Sequence, residues 1–379
     1  MNIICFCHLR WNFVFQRPQH LMKRFAQSHK VYFVEEPVHD AGEAFLEAIS
    51  NESGVTVMVP HLTAGTTSAE QLLQQQTLLF NYFHANSPGE YIAWYYTPMA
   101  LPLASVLPEP ALIVYDCMDE LAAFKNAPSA IVENEKLLLK LADIVFTGGY
   151  SLYETKKNMH TEVYAFPSSI DKPHFQKARL QQDEPADQIN IARPRIGFFG
   201  VLDERFDVEL IDQIAMARPD WQFILVGPVV KIDPAILPRA NNIHYLGGKS
   251  YEELPLYLSG WDVAIIPFAS NESTRYISPT KTPEYLAGGV PVVSTAIRDV
   301  VRPYGELSLA FIGNNTREFI EGIEAALHIR DRPAWLKGVD EFLAVKSWDA
   351  TLQEMQALIK QKLIGKQSSN PTQKENEYV

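Results

Sequence analysis

Tyr276-Ile-Ser-Pro-Thr-Lys-Thr-Pro-Glu-Tyr-Leu-Ala-Gly-Gly-Val-Pro-Val-Val-Ser294 is the stretch on which the architecture turns. It reads as loop, helix, turn and strand. Ser278 can cap a helix with Pro279 in its first position, where a missing N–H costs nothing; alternatively the regular helix begins at Pro283 with Thr282 as its cap. Gly288 and Gly289 end the helix, and Val290–Ser294 is the continuous apolar run of a strand. Amides left free at the helix start, with the helix dipole behind them, suit a phosphate. Lys281 adds a mobile cation. Glu284, six residues past Ser278, projects near the same end and can accept hydrogen bonds from vicinal hydroxyls. A capped helix with a solvated lysine and glutamate is the plain alternative.

The same unit recurs in both directions. Strand-like runs precede it at Arg195–Val201, Gln222–Gly227, Ile243–Leu246 and Val263–Phe268, and Leu309–Ile312 follows. An earlier series comprises Ile3–Cys7, Val31–Glu35, Val55–Val59, Tyr91–Thr97, Leu112–Cys117, Ile144–Thr147 and Val163–Phe166. Most are continuously apolar, as strands buried on both faces of a parallel sheet are. Alternation with helix-like stretches predicts two doubly wound α/β units. The polar, proline-containing Gln176–Pro194 separates the series, so we divide the chain into 1–185 and 186–346. A helix over Arg317–Leu327 with Thr316 as cap, and a last helix from Trp348 to Ile364 capped by Asp349, are expected. The last one (347–365) should return toward the first domain. The polar tail, 366–379, is expected to be disordered. Two such sheets face each other across a cleft at their strand carboxyl ends, where open α/β sheets bind ligands.

Composition narrows the function. The 379 residues carry a net charge of -12, which argues against a nucleic-acid partner. Cys5, Cys7 and Cys117 all lie in apolar runs without metal-ligand spacing, as reduced core thiols would. Met1 leads directly into Asn2–Cys7, and no run approaches the ~18 apolar residues of a membrane span. A cytoplasmic protein is expected, with room for peripheral contact at the inner face of a membrane.

The opening segment resembles the donor-binding motif of retaining GT-B glycosyltransferases of family 4 (group 1), Lys-x-x-Glu-Tyr-Leu-Ala-(Ala/Gly)-Gly-x-Pro-Val. Further likeness is carried by Leu141-Ala-Asp-Ile-Val-Phe-Thr-Gly-Gly-Tyr-Ser-Leu152, by Phe166-Pro-Ser-Ser-Ile-Asp171, by Asn242-Ile-His-Tyr-Leu-Gly247 with Glu253-Leu-Pro255, and by Trp261-Asp-Val-Ala-Ile-Ile-Pro-Phe268. Gln16–Met22 resembles a subgroup acting on bacterial cell-surface polysaccharides of the teichuronic-acid type. The resemblance implies a GT-B fold of two facing Rossmann-like domains. It also implies transfer of a sugar from a nucleotide-diphosphate sugar to a saccharide or lipid-linked acceptor, without a metal or other cofactor. Glu284 then inherits the donor ribose. The family's first motif glutamate, eight residues earlier, is replaced by Tyr276, and the nearest acid is Glu272.

Ser278, Thr280 and Lys281 are accordingly candidates for the donor diphosphate, and Glu272 and Tyr276 for its sugar. Gly200, where the Arg195–Val201 run passes into a glycine-containing loop, would let backbone approach the ligand, and Arg205 offers a planar fork to phosphate oxygens; pairing of Arg205 with Asp203 or Asp207 is the alternative. In the first half, Arg17 is the best polar candidate beside the acceptor, and Trp11 can contribute to a sugar platform. Asp116, then Asp119, at the end of the Leu112–Cys117 strand, are the acids expected to face the reacting sugar as base or orienting group, or else to serve as turn residues. Two other functions stay open: an epimerase or hydrolase of the same fold, and a non-catalytic nucleotide-sugar-binding partner.

Overall fold

The computed structural model describes residues 1–180 and 183–369. Strands β1 (Asn2–Phe6), β2 (Val31–Val34), β3 (Val38–Ala41), β4 (Phe45–Ser50), β5 (Val55–Thr63), β6 (Tyr91–Tyr95), β7 (Leu112–Cys117), β8 (Ile144–Thr147) and β9 (Val163–Ala165) form one sheet. Its order is β3-β5-β2-β1-β6-β7-β8-β9, parallel except where β4 pairs antiparallel with β5. A second sheet contains β10 (Arg195–Phe199), β11 (Gln222–Val226), β12 (Ile243–Gly247), β13 (Val263–Ile266), β14 (Val292–Ser294) and β15 (Ala310–Ile312), in the order β12-β11-β10-β13-β14-β15. Strand order reverses between β1 and β6, and between β10 and β13, so the loops leaving these strands open crevices at their carboxyl ends.

Burial explains which strands were legible. Four of the five residues of β1 and all of β10 are buried, and they read as continuous apolar runs. Two strands were not foreseen, β3 and β4; β4, Phe-Leu-Glu-Ala-Ile-Ser, pairs with β5 and is exposed at all positions but Leu46, which packs on the core. One inward residue is too little to impress an alternating pattern on the sequence.

The chain changes cores early. Phe166 packs beneath the first sheet, whereas Ile170, Phe175 and Ala178 already pack into the second core, ahead of the expected 185/186 division. The polar segment that follows is fastened to the second unit. Gln188, fully buried, donates to the Tyr257 carbonyl and accepts from the Trp261 indole, while the Tyr257 hydroxyl donates to Asp187. The last helix returns: Trp348, Leu352, Met355 and Ile359 fill the first core.

Several helix ends correct the sequence expectations. Asn315, not Thr316, caps the Thr316–Leu327 helix, accepting from the Glu318 amide at 3.0 Å. The last helix spans Trp348–Ser369; the Ser347 hydroxyl accepts from Ala350 N, and Asp349 instead pairs with Arg24. Residues 366–369 of the expected disordered tail are helical, anchored by the Lys366–Asp143 ion pair. Residues 370–379 lie outside those described.

Candidate functional site

The opening segment forms a Lys281–Ala287 helix with Thr280 at its cap, so neither Ser278 nor Thr282 starts it. Pro283 falls in the first turn, where its lost N–H had no intrahelical partner anyway. Ser278 meets the other unit instead: its carbonyl accepts from the Ser168 hydroxyl at 2.6 Å. The Glu284 amide bonds the Thr280 carbonyl at 3.3 Å.

Backbone conformation explains why Lys281 can enter. Gly200 has φ +141° and Gly227 φ +148°, both reserved in practice for glycine. A Cβ on Gly200 would lie 2.2 Å from Lys281 Cε, and one on Gly227 would lie 1.9 Å from the Gly200 carbonyl oxygen. The two glycines therefore open the channel along which Lys281 runs, with Nζ 5.6 Å from the centroids of Phe198 and Phe268. Gly200 acts here by making room for the cation.

Arg205 is held by the loops after β10 and β13, joined by Ala269 N–Arg205 O and Asp207 N–Pro267 O bonds of 2.8 Å each. Its guanidinium grips Asp203 two-fold, Nε at 3.0 Å and Nη2 at 2.6 Å, and lies 5.7 Å from the Phe124 ring of the first unit. Pairing with Asp203 is thus real, but it orients Arg205 into the cleft and leaves Nη1 unengaged among the described residues.

Gln16, Arg17, Met118, Asp119, Gly148 and Ser168 from the first unit meet Arg205, Phe268 and Ile277–Lys281 from the second around a cavity of about 80 Å³. Asp119 is half-buried there, and no hydrogen bond engages its carboxylate among the described residues. Burial raises its pKa to about 6, against the pull of Arg205, Arg17 and Lys281, while Asp203 pushes the same way as burial. Lys281 is lowered, first by burial and then by Arg205. Glu284, 7% exposed, is raised by burial, opposed by Lys281 and by a hydrogen bond from Thr280.

The two acids exchange their expected order. Asp116 is 0% exposed and does not line the cavity. Arg17 clamps it, with Nε 3.1 Å from both oxygens and Nη2 at 2.9 Å from Oδ1, and donates Nη1 to the Phe166 carbonyl at 2.7 Å. A strand residue facing into the sheet cannot also face the cleft; Asp119, two residues beyond the strand, can. Arg17 reaches the cavity wall, but its charge is committed to Asp116.

On the sugar side the expected residues separate. Glu272 is 74% exposed beside Arg275, on the rim of a different cavity of about 760 Å³ that runs between the 268–275 loop, Asp207–Gln213 and Asn314–Thr316. Tyr276 packs against the core of the first unit. Sequence reasoning missed Asp299, which reaches across the units to accept from Tyr150 N, Ser151 N and the Ser151 hydroxyl. It also missed Tyr251, whose ring stacks on His174 and whose buried hydroxyl has no hydrogen-bond partner among the described residues. Neither has a local sequence signal, because each acts through residues far along the chain. Among the described residues, no group of three or more His, Cys, Asp and Glu is placed to hold a metal ion, and no helix is long and apolar enough to cross a membrane.

Two facing Rossmann-like units with a site between their strand carboxyl ends define the GT-B fold. Sucrose-phosphate synthase from Thermosynechococcus elongatus shares it with a TM-score of 0.70 at 15% identity, over 96% of this chain and 100% of that one. The catalytic domain of starch synthase IV from Arabidopsis thaliana, bound to ADP and acarbose, gives 0.66 at 12% identity, over 96% and 99%. More particularly, residues 193–328 match the family described as Glycosyl transferases group 1. The chain is also 25% identical over 259 residues to the putative teichuronic acid biosynthesis glycosyltransferase TuaH of Bacillus subtilis (strain 168), a match covering 64% of this chain and 65% of that protein, just under two thirds of its length.

Proposed function

We propose that this protein is a glycosyltransferase of cell-surface polysaccharide synthesis. It moves a sugar from a nucleotide-diphosphate sugar to a saccharide or lipid-linked acceptor, with retention of configuration and without a metal. The observation that carries this reading is the convergence of Asp119 from one sheet with Arg205 and Lys281 from the other in a single cavity. Two cations beside the Ser278–Lys281 turn suit a leaving diphosphate, whose developing charge they stabilise. Glu284 accepts from the donor ribose. Asp119 orients the acceptor hydroxyl. Its oxygen bonds to the anomeric carbon as the bond to phosphate breaks, and its proton passes to the departing phosphate oxygen on the same face. The group 1 match over 193–328 and the likeness to TuaH support the class of reaction. We place the protein in the cytoplasm, with peripheral membrane contact where the acceptor is lipid-linked.

A cavity of about 80 Å³ is far smaller than the ~300 Å³ and more of ordinary ligand sites, and the proposed function therefore includes a separation of the units to admit a donor. The test is a thermal-shift and turnover screen with UDP-, GDP-, ADP- and dTDP-sugars, repeated with Glu284→Ala. Removing hydrogen bonds to a charged acceptor costs about 1.5–3 kcal/mol, so donor binding should weaken by about ten- to a hundredfold. Unchanged affinity overturns the ribose assignment. Hydrolysed or epimerised donor in place of transfer, or binding without turnover for any acceptor, would assign the protein to the other two functions.

A further inference from the structure

Beside the cleft, on the first unit, lies a second built surface. The exposed strand β4 places Ile49 opposite Val57 and Glu47 opposite Val59, so these four side chains share one face of the β4–β5 pair. The turn Arg10–Phe13 stands over that face and closes a groove of about 390 Å³. Its walls are apolar: the Trp11 ring, set edge-on to Phe33 at 5.0 Å, then Phe13, 49% exposed, and Ile49, 57% exposed.

The turn is rigid. Glu35 accepts from Trp11 N at 2.7 Å and from Arg10 Nη1 at 2.9 Å, and Gln19 Nε2 donates to the carbonyls of Arg10 and Trp11. Arg10 also donates to the carbonyls of Glu36 and Pro37. Its charge is thereby neutralised by Glu35, and its donors face the turn. Among the described lining residues the remaining charged side chain is Glu47, which stands 4.0 Å from His61, so the groove offers phosphate no unpaired cation.

The polar groups left over are neutral donors. Asn51 Oδ1 accepts from the amides of Ser53 at 3.0 Å and Val55 at 3.1 Å, which fixes the amide orientation. Its Nδ2 is buried at the groove without a partner among the described residues, a position that ordinarily has one. No hydrogen bond engages the Trp11 indole N–H or the Asn12 amide among the described residues. Among the described lining residues, aromatic faces, amide and indole donors without partners, one carboxylate acceptor and no unpaired cation together match an uncharged sugar ring.

We infer that the groove between the Arg10–Phe13 turn and the β4–β5 face binds a neutral sugar unit of the acceptor, removed from its reacting end. The inference rests on the glycosyl-transfer reading for its acceptor. The turn runs on within four residues to Gln16 and Arg17 on the cavity wall, so one continuous loop lines both the groove and the cleft.

The test uses the full chain and a panel of neutral disaccharides: cellobiose, maltose, lactose and N,N′-diacetylchitobiose. Binding is followed by tryptophan fluorescence and saturation-transfer NMR. At least one should bind saturably, and Phe13→Ala should weaken it about fivefold or more, as loss of an aromatic contact does. Ile49→Ser, also at an exposed site, should weaken it too. Both variants should retain the donor-induced thermal shift that Glu284→Ala loses. No saturable binding by any disaccharide, or equal affinity in both variants, overturns the inference. So does displacement of the sugar by phosphatidylethanolamine vesicles, which would make the groove a lipid site. Sugar binding without any nucleotide-sugar binding would keep the groove and sink glycosyl transfer; donor turnover with an empty groove would do the reverse.

Discussion

Asp116 and Asp119 show how two residues of one type, three apart, take different work from their burial. Asp116 sits under the cleft, in a buried pair with Arg17 that also ties the helix Arg17–Phe25 to the end of β9 through the Phe166 carbonyl. Breaking such a pair strands a charge, so Asp116→Ala should destabilise the protein by about 3–5 kcal/mol, read by urea unfolding. A stability within about 1 kcal/mol of the parent would show that the pair does not carry that load. Asp119 behaves oppositely. Its folded pKa of about 6 lies above the 3.8 of the free group, so the folded state holds the proton more tightly. The stabilisation is complete below pH 3.8 and is lost as pH rises through 6. Asp119→Asn should therefore stabilise the protein at pH 8 by on the order of 1 kcal/mol and lose that advantage near pH 4. Turnover, in contrast, should rise through pH 6 in the parent and collapse in the variant. A variant less stable than the parent at pH 8 would refute the raised pKa.

At the scale of elements, the Tyr150–Lys156 helix is capped from outside. Gly149 precedes it without a side chain to offer, and Asp299, from the other unit, accepts from both of its first amides. A Cβ on Gly149 would lie 2.3 Å from Asp299 Oδ2, so the glycine is what lets the units approach. Asp299→Ala should cost about 1–2 kcal/mol, as helix caps do, and loosen the two units together. Small-angle scattering should then give a larger radius of gyration without ligand; an unchanged radius would confine Asp299 to a local cap. The Lys281–Ala287 helix was legible by type, but its start was not. Ser278 has the chemistry of a cap, yet its carbonyl is drawn to Ser168, a partner 110 residues away in the chain. β4 was illegible for a different reason, having only Leu46 against the core.

At the scale of the whole molecule, the last helix decides whether the first unit is complete. Trp348, fully buried, stacks on His20 at 4.6 Å and, with Leu352, Met355 and Ile359 of the same helix, completes a core whose remaining buried members lie before residue 167. Trp348→Ala should cost about 3–5 kcal/mol. The loss should appear as earlier unfolding of the first unit, followed by hydrogen exchange in β1 and β2; loss confined to the second unit would contradict this placement. The sequence by itself determined two doubly wound sheets, since parallel strands buried on both faces must be written as apolar runs. It also determined the motif bearing Lys281 and Glu284, whose helix and turn are local. Only the tertiary structure decided that Asp119 rather than Asp116 faces the cleft, that Glu272 stands apart from Lys281, and that Asp299 and Ser168 hold the units together. These are contacts between residues far apart in the chain, and their burial and partners arise only when the two sheets meet.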